Sequence, residues 1–166
     1  MKETETLSPA LPDRLEEATR RLLAKACERE LVLATAESCT GGMLASLLTD
    51  VEGMAHAFDR GFVTYSEAAK TEMLGVPEDL IREKGAVSKE VAVAMAEGAL
   101  ERSRANIAIA ITGFADSGEE PGLVHLACAR KGRINLHREE HFGPRGRGAN
   151  RIAAMEAGIE MMTEML

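Results

Sequence analysis

At 166 residues and 45% hydrophobic, the chain is long enough to bury one sizeable core. A net charge of -7, no Trp, one Tyr and four Phe deny it the basic surface that phosphate backbones need and the aromatic platforms on which single strands stack, so no direct nucleic-acid partner is expected. No segment approaches the roughly 20 apolar residues that cross a bilayer, and no membrane partner is expected either.

Residues 1–10 read as a flexible N-terminal lead without the apolar stretch of a signal peptide, and 11–166 as a single domain. Pro12 can sit in a first helical turn, after which Leu15, Ala18, Leu22 and Ala26 recur at helical spacing up to about Glu28. Leu31 to Thr35 predicts a buried strand. Met43, Leu44, Leu47 and Leu48 then give a helical face that stops near Gly53. Gly61 to Tyr65 predicts a second short strand, with Ser66 as N-cap of a helix that Gly75 ends. Pro77 opens another short helix ending near Gly85. Ser88 caps a longer one that turns Val91, Met95, Gly98 and Ala99 inward and leaves Glu90, Glu97, Glu101 and Arg102 in water.

Ile107 to Ile111 is an apolar run suited to a central strand buried on both faces. Leu123 to Ala129 and Ile134 to Phe142 predict two further strands, antiparallel across a turn at Lys131, Gly132 and Arg133. Ile152, Met155, Ile159, Met162 and Leu166 mark a last helix. About five strands alternating with helices imply an α/β fold, a three-layer α/β/α sandwich with a mixed sheet. The Met-rich last helix and modest size lead us to expect a homo-oligomer.

The most informative segment is Ala36, Glu37, Ser38, Cys39, Thr40, Gly41 and Gly42, read as a polar loop between a buried strand and a helix. Hydroxyls and free backbone N–H groups at the carboxyl end of a strand mark the place where parallel sheets bind ligands. Ser38 or Thr40 could equally cap the following helix. Ser38 lies in neither a G-x-S-x-G elbow nor an S-x-x-K motif. A serine nucleophile needs a base, and the candidates are Lys70 and the histidines. A lysine base must be poorly hydrated or lie near another cation, and Lys70, one turn past a strand end among Ala68, Ala69 and Met73, fits that role or that of an ordinary exposed helical lysine.

His56, His125, His137 and His141 lack ligand spacing and read as strand-surface or half-buried residues, so no metal is expected. Cys39 reads as a small buried residue. Cys27, Cys39 and Cys128 are odd in number and far apart, which suits a reducing cytoplasm. Thr112, Gly113, Ser117, Gly118 and Gly122 form a second polar loop, and Arg145, Arg147 and Arg151 cluster ahead of the last helix. Together they suit a phosphate-bearing ligand or plain turns and solvated charge.

The string from Ala36 to Gly42, then Thr49 to Gly53, Gly61 to Lys70, Leu74 to Val76 and Gly85 to Ser88, closely resembles the C-terminal domain of the CinA family, from about Leu22 to the end. The resemblance implies a cofactor-free amidohydrolase that converts nicotinamide mononucleotide, a small-molecule nucleotide, to nicotinic acid mononucleotide and ammonia. Larger family members carry an additional N-terminal nucleotide pyrophosphatase domain, for which 166 residues leave no room. Ser38 would attack the carboxamide carbon, Lys70 would take its proton and return it to departing ammonia, and Tyr65 would orient or relay that proton. Cys39, Thr40, Gly41, Gly42, Thr112 and Gly113 would line the substrate site, backbone N–H groups after Ser38 would hold the oxyanion, and Arg145 and Arg151 would take the 5'-phosphate.

Two segments depart from the family pattern. Phe114 to Val124 replaces a longer glycine-rich loop with a shorter acidic one, and Gly143 to Gly148 replaces the usual Gly-Asp-Arg run. Asp116, Glu119 and Glu120 would repel a phosphate if they faced the pocket. Two other readings follow: a nucleotide-binding module with impaired catalysis and a regulatory or assembly role, or an amidase for another small amide.

Overall fold

The computed structural model describes residues 11–166, so the lead expected at 1–10 lies outside the described residues. In chain order the elements are α1 (Asp13–Glu28), β1 (Leu33–Glu37), α2 (Met43–Thr49), β2 (Phe58–Val63), α3 (Glu67–Leu74), α4 (Glu78–Lys84), α5 (Lys89–Glu101), β3 (Ile107–Gly113), β4 (Leu123–Arg130), β5 (Leu136–His141) and α6 (Arg147–Met165), with a 3-10 turn at Ala55–Ala57. The sheet runs β2-β1-β3-β4-β5, parallel from β2 through β3 and antiparallel from β3 through β5. This is the mixed five-stranded α/β sandwich expected from the sequence.

The strands sort their side chains by size as well as by polarity. Leu33, Ile107, Ile109, Ile111 and Leu126 point toward the layer of α1, α2 and α6. Ala34, Ala36, Ala108, Ala110, Ala127 and Ala129 point toward α3, α4 and α5. Period-two alternation puts each set on one face, and the alanine face lets α5 lie close to the sheet. Gly98 of α5 continues this economy of space, because a methyl there would run into the Leu74 carbonyl of α3.

The expected N-caps form: Ser66 Oγ accepts from the Ala69 N–H at 3.1 Å, and Ser88 Oγ accepts from Val91 at 3.3 Å and donates to the Gly85 carbonyl at 2.9 Å. Gly75 ends α3 at φ +71°, a conformation that favours glycine. Pro12 is the N-cap of α1 rather than a first-turn residue.

Several boundaries differ from the sequence reading, among them β5, which starts at Leu136 and leaves Ile134 exposed ahead of it. β1 begins and ends two residues later than expected, because its ladder to β2 and β3 runs through Ala36 and Glu37, which therefore belong to the strand and not to the loop. β2 likewise starts earlier, at Phe58, and stops before Thr64 and Tyr65. α6 begins at Arg147, so Arg147 and Arg151 lie inside the helix rather than ahead of it, while Arg145 precedes it.

Candidate active site

The parallel half of the sheet delivers Ser38 and Lys70 to one point. Ser38 is the first residue past β1, and its N–H donates to the Ile111 carbonyl of β3 at 3.0 Å, which fixes the chain as it leaves the sheet. Lys70, in the first turns of α3, reaches back under the strand ends. Its side chain is 1% exposed, and Nζ lies 3.1 Å from Ser38 Oγ and donates to the Thr64 carbonyl at 2.9 Å. Burial lowers the Lys70 pKa below its usual range, partly offset by Glu67 and by any negative charge on Cys39. No ion pair holds Lys70 among the described residues. A dehydrated amine without a carboxylate partner, in hydrogen-bond reach of a hydroxyl, can accept that hydroxyl's proton.

Burial pushes the neighbouring Cys39 thiol up to about 12, so it stays protonated and does not compete as nucleophile. Gly41 and Gly42 adopt φ +60° and +92°, and a Cβ on Gly42 would stand 3.1 Å from Val63. The loop from Ser38 to Gly42 therefore depends on these glycines for its tight return. Arg151 Nε donates to the Cys39 carbonyl at 2.8 Å, which brings the guanidinium against the loop.

Neither Ser38 nor Thr40 caps α2. The carboxylate of Glu37 does, accepting from the Gly42, Leu44 and Ala45 N–H groups at 3.2, 3.1 and 2.8 Å. The sequence reading assigned Glu37 no role; an acid just before a helix start was the available signal. The helix terminus expected to offer free N–H groups to a ligand is thus filled by the protein's own side chain. Cys39 and Thr40 retain backbone N–H groups with no hydrogen bond to another residue among the described residues. Thr64 was also missed: its carbonyl holds Lys70, its N–H donates to the Glu37 carbonyl at 2.8 Å, and its hydroxyl, like that of Thr40, is buried without a partner among the described residues.

The remaining candidates are placed differently. Tyr65 follows Thr64 but is 70% exposed, and among the described residues no hydrogen bond joins its phenol to Ser38 or Lys70. Thr112 is buried and donates to the Ala86 carbonyl at 2.8 Å, so its hydroxyl holds the α4–α5 connection. A Cβ on Gly113 would stand 2.7 Å from the Leu123 carbonyl, a reason for glycine that belongs to the β3–β4 pair. Arg145 is exposed over the Phe142 ring at 5.3 Å, and among the described residues no hydrogen bond or ion pair joins it to the Ser38 loop. Arg147 pairs with Asp116, and Glu120 with His141. Asp116, one of the three loop carboxylates expected to repel a phosphate, is therefore neutralised, Glu120 shares His141 with Glu139, and Asn150 anchors the loop by donating to the Ala115 and Gly143 carbonyls at 2.6 and 2.9 Å.

An open α/β sheet carrying a serine and a buried lysine at the carboxyl ends of its parallel strands defines a class of proteins with the groups for metal-independent acyl chemistry. Within that class the chain belongs to the CinA family: the family model described as the CinA C-terminal domain matches residues 15–166. The chain is 42% identical over 157 residues to a CinA-like protein of Syntrophus aciditrophicus, covering 92% of this chain and 36% of that protein. It is 54% identical over 110 residues to a CinA-like protein of Akkermansia muciniphila, covering 63% of this chain and 27% of that one. It thus spans about a third of the length of the curated relatives it matches. The crystal structure of the competence/damage inducible protein CihA from Agrobacterium tumefaciens superposes with a TM-score of 0.92 at 42% identity, covering 95% of this chain and 99% of that one. A CinA superfamily protein from Escherichia coli superposes at 0.82 with 34% identity, covering 100% and 99%.

Proposed function

We propose that the protein hydrolyses the carboxamide of nicotinamide mononucleotide to nicotinic acid mononucleotide and ammonia through a serine acyl intermediate. The observation that carries this reading is the 3.1 Å separation of Ser38 Oγ and Lys70 Nζ with the amine buried and, among the described residues, unpaired with acid. Ser38 Oγ attacks the carboxamide carbon as its proton passes to Lys70. The C–N bond then breaks, and the proton returns to the departing nitrogen, which leaves as ammonia. Water attacks the resulting ester, Lys70 takes a proton from it, and the carboxylate product leaves as Ser38 regains its hydrogen. We assign the oxyanion that develops beside Ser38 to the N–H groups of Cys39 and Thr40, which make no hydrogen bond among the described residues. Arg151 stands for the 5'-phosphate because its guanidinium already lies against the same loop.

The pairing of Asp116 with Arg147 favours a working site over a binding module in which loop repulsion has removed turnover. Incubation with nicotinamide mononucleotide, read by ammonia release and by product anion formation, tests the proposal. Release that disappears in Ser38→Ala supports it, and no release at high enzyme concentration overturns it.

A further inference from the structure

Glu37 is fully buried at the end of β1, yet among the described residues no cation pairs with it. A buried carboxylate in that position needs compensation, and here it comes from three backbone N–H groups at the start of α2. Charge-assisted bonds to a helix N-terminus are among the stronger ones, and the helix dipole adds to them. One end of this residue therefore grips α2 and closes the loop that begins with Ser38.

The other end grips β2. The Glu37 carbonyl accepts from Thr64 N–H at 2.8 Å, and the Thr64 carbonyl in turn accepts from Lys70 Nζ at 2.9 Å. Main chain and side chain of one residue thus tie together the loop that presents the hydroxyl and the strand end that orients the amine. The carboxylate takes the N–H groups of Gly42, Leu44 and Ala45, while those of Cys39 and Thr40 make no hydrogen bond among the described residues.

We infer that Glu37 is a positioning residue, which holds Ser38 Oγ in line with Lys70 Nζ and keeps the Cys39 and Thr40 N–H groups free by clamping the start of α2. The inference rests on the serine–lysine reading above but not on the choice of substrate. Gln in its place keeps the shape and one acceptor oxygen, but turns an amide N–H₂ toward a backbone donor and removes the charge.

The test uses phenylmethanesulfonyl fluoride, a neutral reagent that sulfonylates an activated serine. The Oγ–S bond forms, S–F breaks and fluoride leaves, while the hydroxyl proton passes to the amine. Mass spectrometry follows labelling of Ser38 in the full chain and in Glu37→Gln, at a temperature well below both melting points. The expected result is labelling slowed about 10- to 100-fold in the variant, a magnitude within the range that one misplaced group costs. Turnover of nicotinamide mononucleotide should lose kcat by a similar factor, with KM changed less than threefold. A purely structural role would lower the melting temperature and leave the labelling rate alone, so a rate within threefold of the parent overturns the inference. If Glu37→Gln does not fold, Glu37→Asp, which keeps the charge but withdraws it by one methylene, carries the same measurement and the same criterion. A parent that labels at Ser38 but releases no ammonia refutes the proposed substrate and leaves Glu37 standing. A parent that does not label at all overturns both.

Discussion

Replacing Lys70 by Met removes the amine while keeping the length of the chain in its buried channel. Stability and activity should then respond in different ways. On the activity side, a general base contributes about 10²- to 10⁴-fold, so ammonia release should fall by at least the lower figure. On the stability side two effects oppose each other. The Thr64 carbonyl and Ser38 hydroxyl each lose a partner, at a cost of about 1–3 kcal/mol if left unsatisfied, while the penalty for dehydrating an ammonium disappears. The pH dependence separates them. Burial lowers the folded-state pKa of Lys70, so between that value and the unfolded value near 10.4 the unfolded chain binds the extra proton. The parent therefore gains stability as pH rises through this window, with a slope of up to about 1.4 kcal/mol per pH unit, and Lys70→Met lacks that contribution. Urea unfolding of both proteins in steps from pH 7 to pH 10 measures the difference. Met should be relatively more favourable at the lower pH, and the advantage should shrink toward pH 10. Parallel curves would refute the reasoning, since they would mean that Lys70 carries the same proton folded and unfolded.

Four other outcomes follow from the same geometry. Gly98→Ala forces α3 and α5 apart at the Leu74 carbonyl, and overpacking of about 1–3 kcal/mol should lower the melting temperature by several degrees in a calorimetric scan. Arg151→Ala should raise KM for nicotinamide mononucleotide about tenfold or more but leave that for the phosphate-free riboside unchanged; an equal effect on both removes Arg151 from the phosphate. Burial lowers the His125 and His137 pKa values, so the unfolded chain takes up protons first and stability should fall as pH drops below about 6.5. His141, raised by Glu120 and Glu139, works in the opposite sense, so the readout is the flatter melting profile of His137→Gln against the parent. Finally, because dehydration rather than a neighbouring charge lowers the Lys70 pKa, labelling of Ser38 by a neutral sulfonyl fluoride should change less than twofold between 50 mM and 1 M salt, to order of magnitude, while KM for the nucleotide rises.

Legibility in the sequence followed the range of the interactions involved. Ser66, Ser88 and Gly75 act within a turn of helix, and their roles were readable from neighbours three or four residues away. The apolar run Ile107 to Ile111 likewise indicated a central strand, although which helices would cover its isoleucine face and which its alanine face depends on the topology. The register of β1 depends on β2 and β3, so Ala36 and Glu37 looked like loop until their ladder partners were known. Lys70 is the sharper case. Beside Ala68 and Ala69 its surroundings in the chain suit an exposed helix as well as a base, and only the family resemblance chose it over the histidines as the partner of Ser38, 32 residues away. The acidic loop misled in the other direction, because the partners of Asp116 and Glu120 are Arg147 and His141, far along the chain.

The placement of charge around Ser38 reconciles two demands that conflict in a small site. An amine that accepts a proton near neutral pH must not sit beside an acid, whereas a nucleotide phosphate must sit beside a base or a donor-rich helix end. The usual donor-rich end, at α2, is spent on Glu37, whose own negative charge is absorbed by three N–H groups rather than by Lys70. Lys70 is left with a hydroxyl and a carbonyl, both neutral. The positive charge comes instead from α6, through Arg151 on the Cys39 carbonyl, and burial, not that cation, leads the shift at Lys70. Under the proposed chemistry, the buried glutamate is what allows the proton acceptor and the anion site to share one short loop without either setting the charge of the other.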